Sequence, residues 1–301
     1  MTASPGRPCR EERAKSHPGP DLARLGAMTG TVAAPLPAAQ IIDRVVAAVG
    51  VPPRPTGVDG IVAGDPATAV TGIAVTVAAT LDVLQRAVAV GANLVVTHEP
   101  LYYDHTNAAV EALEAEQDPV YLAKRDLIAR HGLVVWRFHD QWHERRPDGV
   151  AEGTRRVLGW PDADGDGLYP VPATTLAQLA ADIAGALRAE AARFVGDPDQ
   201  PVRRVGLNLG FCGFEANRRA LAQPGLDVLV VGEGHEWELG EYVADSVTLA
   251  ADGHGPAKGL VVVGHYPSEE SGQVLLSEWL SELLPGVPVT LVRAGDPYLR
   301  A

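Results

Sequence analysis

The chain has 301 residues, 46% hydrophobic and 21% charged, which is enough for one large domain or two packed lobes. Its formal net charge of -13 repels phosphodiester backbones and anionic lipid, so nucleic acid is disfavoured as a partner. Two cysteines in unrelated contexts indicate neither a disulfide framework nor a thiolate metal site. The apolar runs are far shorter than the ~20 residues that span a bilayer. Without an apolar signal core, the sequence predicts a cytoplasmic protein that does not enter a membrane.

The first residues differ in composition from the remainder. Residues 1 to about 35 are rich in Pro, Gly, Arg and Ala and show no helical or strand period, which predicts a disordered tail. The sequence after Met28 shows less of this compositional bias, so Met1 and Met28 are both candidates for the first residue of the protein. Residues 36–301 are predicted to form the folded domain.

Hydrophobic periodicity and Gly and Pro breaks predict strands that alternate with helices. The first half predicts, in order, helix 38–49, strand 71–77, helix 81–90, strand 93–97, helix 110–131 with a break near Pro119, strand 133–138 and helix 149–158. The second half predicts helix 176–191 with Thr175 as N-cap, strands 193–196 and 202–209, loop 211–213, strands 227–231, 246–250 and 260–263, helix 271–284 and strand 288–292.

This alternation predicts a two-lobed α/β fold with mainly parallel sheets covered by helices. We expect lobe 1 to comprise residues of about 36–160 and 255–301, and lobe 2 residues of about 161–254.

Four predicted strands end in the same way, with an apolar run followed by histidines or acids. Those residues are His98 and Glu99, His139 and His143, Glu233 and His235, and His265 and Glu269. Ligands of open α/β sheets bind beyond the carboxyl ends of strands, so we expect these side chains to converge on one crevice. A single histidine after a strand is more often a hydrogen-bonded loop residue than a ligand. It is the agreement of four strands that favours a site.

Imidazole and carboxylate together suit Zn, Mn, Fe, Co or Ni, and a cation relieves the repulsion among clustered carboxylates. Five ligands exceed the three or four usual at one catalytic zinc, so we predict two divalent ions. The predicted ligands are His98, Glu99, His143, His265 and Glu269.

Two of these segments carry a family resemblance. His98-Glu-Pro-Leu-Tyr-Tyr and Gly264-His-Tyr-Pro-Ser-Glu269 resemble segments of the Nif-three-like family, also called GTP cyclohydrolase I type 2 homologues, which are dinuclear-metal proteins. The likeness extends from about Ile41 to Val292 and includes Gly232-Glu-Gly-His-Glu. The resemblance implies a hexameric ring, assembled as a trimer of dimers, with metal sites facing the interior.

The sequence departs from the family pattern at three positions. Glu99 stands where the family usually has a second histidine, and His143 stands where it usually has an aspartate. Together these exchanges leave the predicted ligand set with three histidines and two carboxylates. We therefore expect metal binding to persist with altered geometry or metal preference. Ala78 stands where the family often has an aspartate.

His139, His235 and Glu233 match positions that the family keeps near its metals, and we assign them roles in orienting ligands or exchanging protons. The resemblance implies a metal-dependent hydrolase in which a bridging water attacks carbon or phosphorus, as in opening of the purine ring of GTP or in phosphoester hydrolysis. The substrate would be a small molecule, with nucleotides among the candidates. The alternative is a non-enzymatic metal-binding adaptor or metal-handling protein.

Overall fold

The structure, a computed structural model, describes residues 35–106 and 108–299. Within these residues the strands are β1 Gly60–Ala63, β2 Ile73–Thr76, β3 Leu94–Thr97, β4 Val134–Arg137, β5 Tyr169–Thr175, β6 Arg193–Val195, β7 Pro201–Asn208, β8 Val228–Val231, β9 Gly259–Val262 and β10 Val289–Leu291. The α-helices are α1 Ala38–Val49, α2 Leu81–Ala89, α3 Ala109–Ala115, α4 Pro119–His131, α5 Asp140–Glu144, α6 Gly149–Leu158, α7 Leu176–Leu187, α8 Phe214–Leu221, α9 Glu241–Ala251 and α10 His265–Leu283. A π-helical turn, Glu236–Gly240, precedes α9.

The first sheet has the order β1-β4-β3-β2-β10, with β10, β2, β3 and β4 parallel and β1 antiparallel at the edge. All residues of β2, β3 and β4 are buried, since helices cover both faces of the sheet. Ile73 and Val75 pack toward α1 and α10, whereas Ala74 between them packs toward α2 and α4. Successive side chains of a strand point to opposite faces, which explains this alternation.

The second sheet has the order β5-β7-β8-β9-β6. Its central strands β7, β8 and β9 are parallel, and β5 and β6 pair antiparallel at the two edges. Helix α7 packs on one face through Leu176 and Ile183, while Leu221 of α8 and Val243 of α9 pack on the other. The predicted α/β class with mainly parallel strands is therefore confirmed. The division into two lobes stays a proposal, and any such division has to keep β9 with the second sheet.

One predicted strand is wrong. Residues 246–250 lie in helix α9 rather than in a strand. The β-branched residues Val247 and Thr248 favour a strand locally, but Leu239, Val243 and Val247 recur at helical spacing and pack into the second core. The wider helical period therefore overrides the short β-branched segment.

The last helix begins six residues earlier than the sequence predicts, at His265 instead of residue 271. Pro267 suggests an interruption, yet it lies in the first helical turn, where no backbone hydrogen bond is lost. Gly264 enters the helix with a φ of 97°, which favours glycine. As a result His265 and Glu269 lie one turn apart on the same helix face.

Helices α6 and α10 pack through glycine. A Cβ added at Gly153 would overlap the carbonyl oxygen of Ser271, whereas a Cβ at Gly185 of α7 would meet no atom within 4 Å. We expect Gly153→Ala to lower the free energy of unfolding by about 1–3 kcal/mol, because the two backbones must separate. Gly185→Ala is the matched control and should range from neutral to about 1 kcal/mol more stable. Urea denaturation measures both, and equal effects would contradict this account of the packing.

Residues 1–34 of the predicted tail, with both candidate starts, lie outside the described residues. In the part of the chain that the structure does describe, no helix is long and apolar enough to cross a membrane.

Candidate metal centre

Strand ends bring the predicted site residues together. The paired register of β3 and β4 sets Thr97 beside Arg137, so His98 and His139 follow from neighbouring strands at one edge of the first sheet. The amides of His98 and Glu99 donate to the carbonyl oxygens of Thr76 and Val77, which continues the sheet past the end of β3. Short helix α5 then carries His143, and helix α10 follows β9 of the second sheet and brings His265 and Glu269.

The four histidines of this cluster share one orientation. In each ring Nδ1 faces an oxygen outside the cluster that can only accept a hydrogen bond. The pairs are His98 with the carbonyl oxygen of Phe138 at 3.4 Å, His139 with Asp140 at 2.9 Å, His143 with Asp148 at 3.0 Å and His265 with Glu233 at 2.7 Å. A neutral ring in this setting therefore carries its hydrogen on Nδ1 and presents a lone pair at Nε2.

The carboxylates on the outer side are ionised. The hydrogen bond from His265 lowers the pKa of Glu233, even though partial burial opposes the shift. Burial would raise the pKa values of Asp140 and Asp148, but the hydrogen bonds from their histidines and from backbone amides hold them below the ordinary range. An ionised carboxylate has no hydrogen to give, which fixes the tautomer of the histidine beside it.

Inside the cluster, the Nε2 atoms and the carboxylate oxygens lie close to one another. Nε2 of His98 lies 3.1 Å from Nε2 of His143. Nε2 of His265 lies 3.2 Å from Oε1 of Glu99 and 3.2 Å from Oε2 of Glu269. His139 is turned the same way, with Nε2 3.9 Å from Oε1 of Glu99. Acceptors this close repel unless a proton or a cation lies among them.

Two further observations fit a cation. Oε2 of Glu269 is buried, and among the described residues no group makes a hydrogen bond of regular geometry to it, although burial of an unpaired carboxylate oxygen is costly. Gly210 has a φ of 65°, and a Cβ there would overlap Oε1 of the same glutamate. The glycine leaves space for Glu269 beside the other donors. The chemistry of the donor set thus suits a divalent metal.

The pKa values show how strongly the cluster attracts positive charge. Burial would lower the pKa of His265, but its carboxylate neighbours Glu233, Glu269 and Glu99 raise it to about 12. Burial would likewise raise the pKa of Glu99, but the hydrogen bond and charge of His265 lower it to about 2. The pKa of His98 lies well below its usual value, first because the ring is buried and then because other histidines are close.

The donors form two groups that share His98. Among the described residues, His98, His139 and His143 place one ligand atom each within 4.8 Å of one another, and so do His98, Glu99 and Glu269. His265 adjoins the second group through its contacts with both carboxylates. Buried His and Glu groups that could hold a metal are therefore present in the chain.

The remaining predicted residues lie at the rim. Glu233 contacts the cluster through Nδ1 of His265, and its side chain is 49% exposed. His235 is directed elsewhere: Nδ1 pairs with Glu238 at 3.0 Å, and the ring stacks on Trp237 with centroids 5.6 Å apart. A cavity of about 680 Å³ is lined by Glu233, His235 and His265 together with Tyr266 and others.

The sequence analysis missed several residues that support the cluster. Asp148 is the N-cap of α6 as well as the partner of His143, and a carboxylate of Asp59 accepts the amides of His139, Asp140 and Gln141 at the start of α5. In the sequence Asp148 carries only a capping signal, and Asp59, directly before β1, carries none. Their contacts with the histidines depend on the folded chain path.

A two-sheet α/β fold with a buried histidine and carboxylate cluster at its strand ends defines a class of protein suited to bind divalent metal. A family model described as Duf34/NIF3 (NGG1p interacting factor 3) matches residues 56–297. The chain belongs to this family, which confirms the resemblance read from the sequence.

Solved structures resemble this fold over most of its length. They include the Staphylococcus aureus hypothetical protein SA1388, with 19% identity, 89% of this chain and 100% of that chain covered, and a TM-score of 0.67. A Bacillus cereus protein related to NIF3 has 15% identity, coverage of 89% and 100%, and a TM-score of 0.68. Reduced HcgD from Methanocaldococcus jannaschii has 12% identity, coverage of 85% and 98%, and a TM-score of 0.58. At these identities the likeness concerns the fold. The search of curated proteins found no match.

Proposed function

We propose that the chain binds two divalent metal ions in this cluster and acts as a metal-dependent hydrolase. The observation that carries the proposal is the convergence of Nε2 atoms and carboxylate oxygens, with every Nδ1 held by an acceptor on the outer side. A hydrogen-bonded loop histidine does not require this arrangement. It is typical of histidines that bind metal, because the outer hydrogen bond fixes their tautomer and raises their basicity.

The division of the donors supports two ions. His98, His139 and His143 make up one set. Glu99 and Glu269, with His265 beside them, make up the other, which His98 also adjoins. Glu269 reaches both, with Oε2 3.5 Å from Nε2 of His98 and Oε1 4.0 Å from Nε2 of His143. A carboxylate between two donor sets is a common feature of two-metal sites. We therefore propose Glu269 as the shared ligand and add His139 to the ligands expected from the sequence.

Nitrogen and oxygen donors of this kind suit Zn, Mn, Fe, Co or Ni. When bound, such ions would supply Lewis acidity that lowers the pKa of water and stabilises charge developing on carbon or phosphorus. Glu233 would hold His265 in the ligand orientation. His235 and Glu233 line the adjoining cavity, whose size admits a small molecule such as a nucleotide, and they are the groups available there to exchange protons.

Metal analysis and a turnover screen test the proposal together. Protein purified without chelators should contain close to two ions per chain, and well under one ion would contradict the proposal. The same protein should hydrolyse a member of a panel of nucleotides and phosphoesters, and His98→Ala should abolish turnover while circular dichroism shows an intact fold. Exchangeable metal without turnover on any panel member would favour the metal-handling alternative.

The hexameric ring implied by the family resemblance is part of this proposal. Analytical ultracentrifugation of the full chain should give six times the chain mass. A monomer at micromolar concentration would contradict the ring but leave the metal proposal intact.

A further inference from the structure

Arg137 and His105 lie behind Glu99. Arg137 is the last residue of β4, and its side chain is buried although it carries a permanent charge. Its guanidinium donates to the carbonyl oxygen of His98 at 3.3 Å, to the carbonyl oxygen of His105 at 3.1 Å and to Nδ1 of His105 at 2.7 Å. The buried guanidinium thus holds the His105 loop and the orientation of its ring.

This contact fixes the tautomer of His105 oppositely to that of the other cluster histidines. Arginine can only donate, so Nδ1 of His105 accepts and its ring hydrogen lies on Nε2. That nitrogen lies 3.4 Å from Oε2 of Glu99. A ring with hydrogen on Nε2 presents the positive end of an N–H bond to Glu99 rather than a lone pair.

The two oxygens of Glu99 therefore have different surroundings. Oε2 faces the N–H of His105, with the Arg137 charge behind it. Oε1 faces the inward-turned Nε2 atoms of His265 at 3.2 Å and of His139 at 3.9 Å, each of which offers a lone pair to a metal when its ring is neutral. A cation beside Oε2 would be repelled by the N–H dipole and the guanidinium. A cation beside Oε1 would take the place of the proton on Nε2 of His265 and meet the lone pairs of both rings.

We propose that Arg137 and His105 restrict Glu99 to one metal-binding oxygen, Oε1, and so set the metal preference of the site. The proposal rests on the proposed metal-binding function. Zinc and cobalt accept few ligands with single-atom carboxylate contacts, while larger cations gain from two carboxylate oxygens and a higher ligand count. By leaving Glu99 one metal-binding oxygen, Arg137 and His105 thus favour zinc and cobalt over manganese. His105 is a positioning residue that acts through Glu99.

Titrations with single metals test this. Chelator-treated wild type, His105→Phe and His105→Gln are titrated with Zn²⁺, Mn²⁺ and Co²⁺, and the visible absorption of Co²⁺ reports its coordination number. His105→Phe should raise the ratio of Mn²⁺ to Zn²⁺ affinity about tenfold, as expected for loss of an outer partner. It should also weaken the absorption per bound Co²⁺, since a second oxygen of Glu99 becomes available.

His105→Gln provides the rescue, because its amide oxygen can accept from Arg137 while its amide nitrogen faces Glu99. Its affinity ratio should return to within about threefold of wild type. His131→Phe, at an exposed histidine on α4, is the control and should leave ratio and spectrum unchanged. The His105 side chain is 53% exposed, so folded variants are expected, and thermal melting verifies this.

The outcomes separate the two proposals. Wild type that binds no metal would overturn the proposed function. Wild type that binds metal, with His105→Phe unchanged in affinity ratio and Co²⁺ spectrum, would overturn the role of His105 alone. His105→Gln that matches His105→Phe would likewise contradict the donor role.

Discussion

Glu269→Gln is expected to weaken binding of divalent metal by about 100-fold or more, since even loss of an outer partner costs about 10–100-fold. Glu269 is buried, and its two oxygens face both donor sets of the cluster. Glutamine keeps the shape of the side chain but removes the charge, and it turns one metal-facing oxygen into an NH₂ group. Both ions lose a ligand if the carboxylate is shared. Isothermal titration with Zn²⁺ or Mn²⁺ measures the change.

Glu270→Gln is the matched control. Glu270 is the next residue of α10 and is also buried, but its carboxylate pairs with Arg293 at 2.7 Å and accepts the amide of Gly295. This variant should lose stability through the broken ion pair and keep its metal affinity. If Glu269→Gln binds metal within a factor of about three of Glu270→Gln, the cluster is not the metal site, since loss of a ligand should cost far more.

Metal should also contribute to thermal stability. A ligand at 1,000 times its dissociation constant stabilises the folded state by about 4 kcal/mol. Wild type and Glu270→Gln should therefore melt at higher temperature with Zn²⁺ than with a chelator, while Glu269→Gln should show little difference. A chelator-insensitive wild type would contradict metal binding by the folded chain.

Much of the fold could be predicted because the buried strands are short apolar runs bounded by glycine or polar residues. Strand β3 and helix α6, with Gly159 at its end, follow directly from local pattern. The prediction failed where local and longer-range signals disagree, as at 246–250, and where Pro267 lies inside a first helical turn. Helix α8 was missed since it follows a glycine-flanked loop without a side-chain cap.

The candidate site likewise contains residues that the local sequence pattern predicts and residues that it does not. His98, Glu99, His265 and Glu269 could be predicted to meet because each follows the end of a parallel strand. His105 could not, since it lies in a loop after β3, and only the folded path brings its Nδ1 to Arg137. The sequence also gives no sign of which nitrogen of a histidine carries hydrogen. That information comes from the outer acceptors, which lie on other elements.

The tautomers and charges of the cluster lead to a second large effect: metal binding should release protons. The pKa of His265 is raised to about 12, so in metal-free protein this ring is protonated at pH 7. Burial would lower the pKa of His143, but its hydrogen bond and charge interaction with Asp148 raise it above the usual value. His98 and His139 contribute none, because burial and nearby histidines lower their pKa values.

A histidine must lose its extra proton before it binds metal. Metal binding therefore releases protons, and the affinity for metal rises with pH. Between pH 6 and 8, where His265 stays protonated without metal, affinity should rise about tenfold or more per pH unit. Titrations in buffers of different ionisation enthalpy should show one to two protons released per chain, about one of which His265→Gln removes. Release that is zero, or equal in wild type and His265→Gln, would mean that the metal does not take the place of the proton on His265.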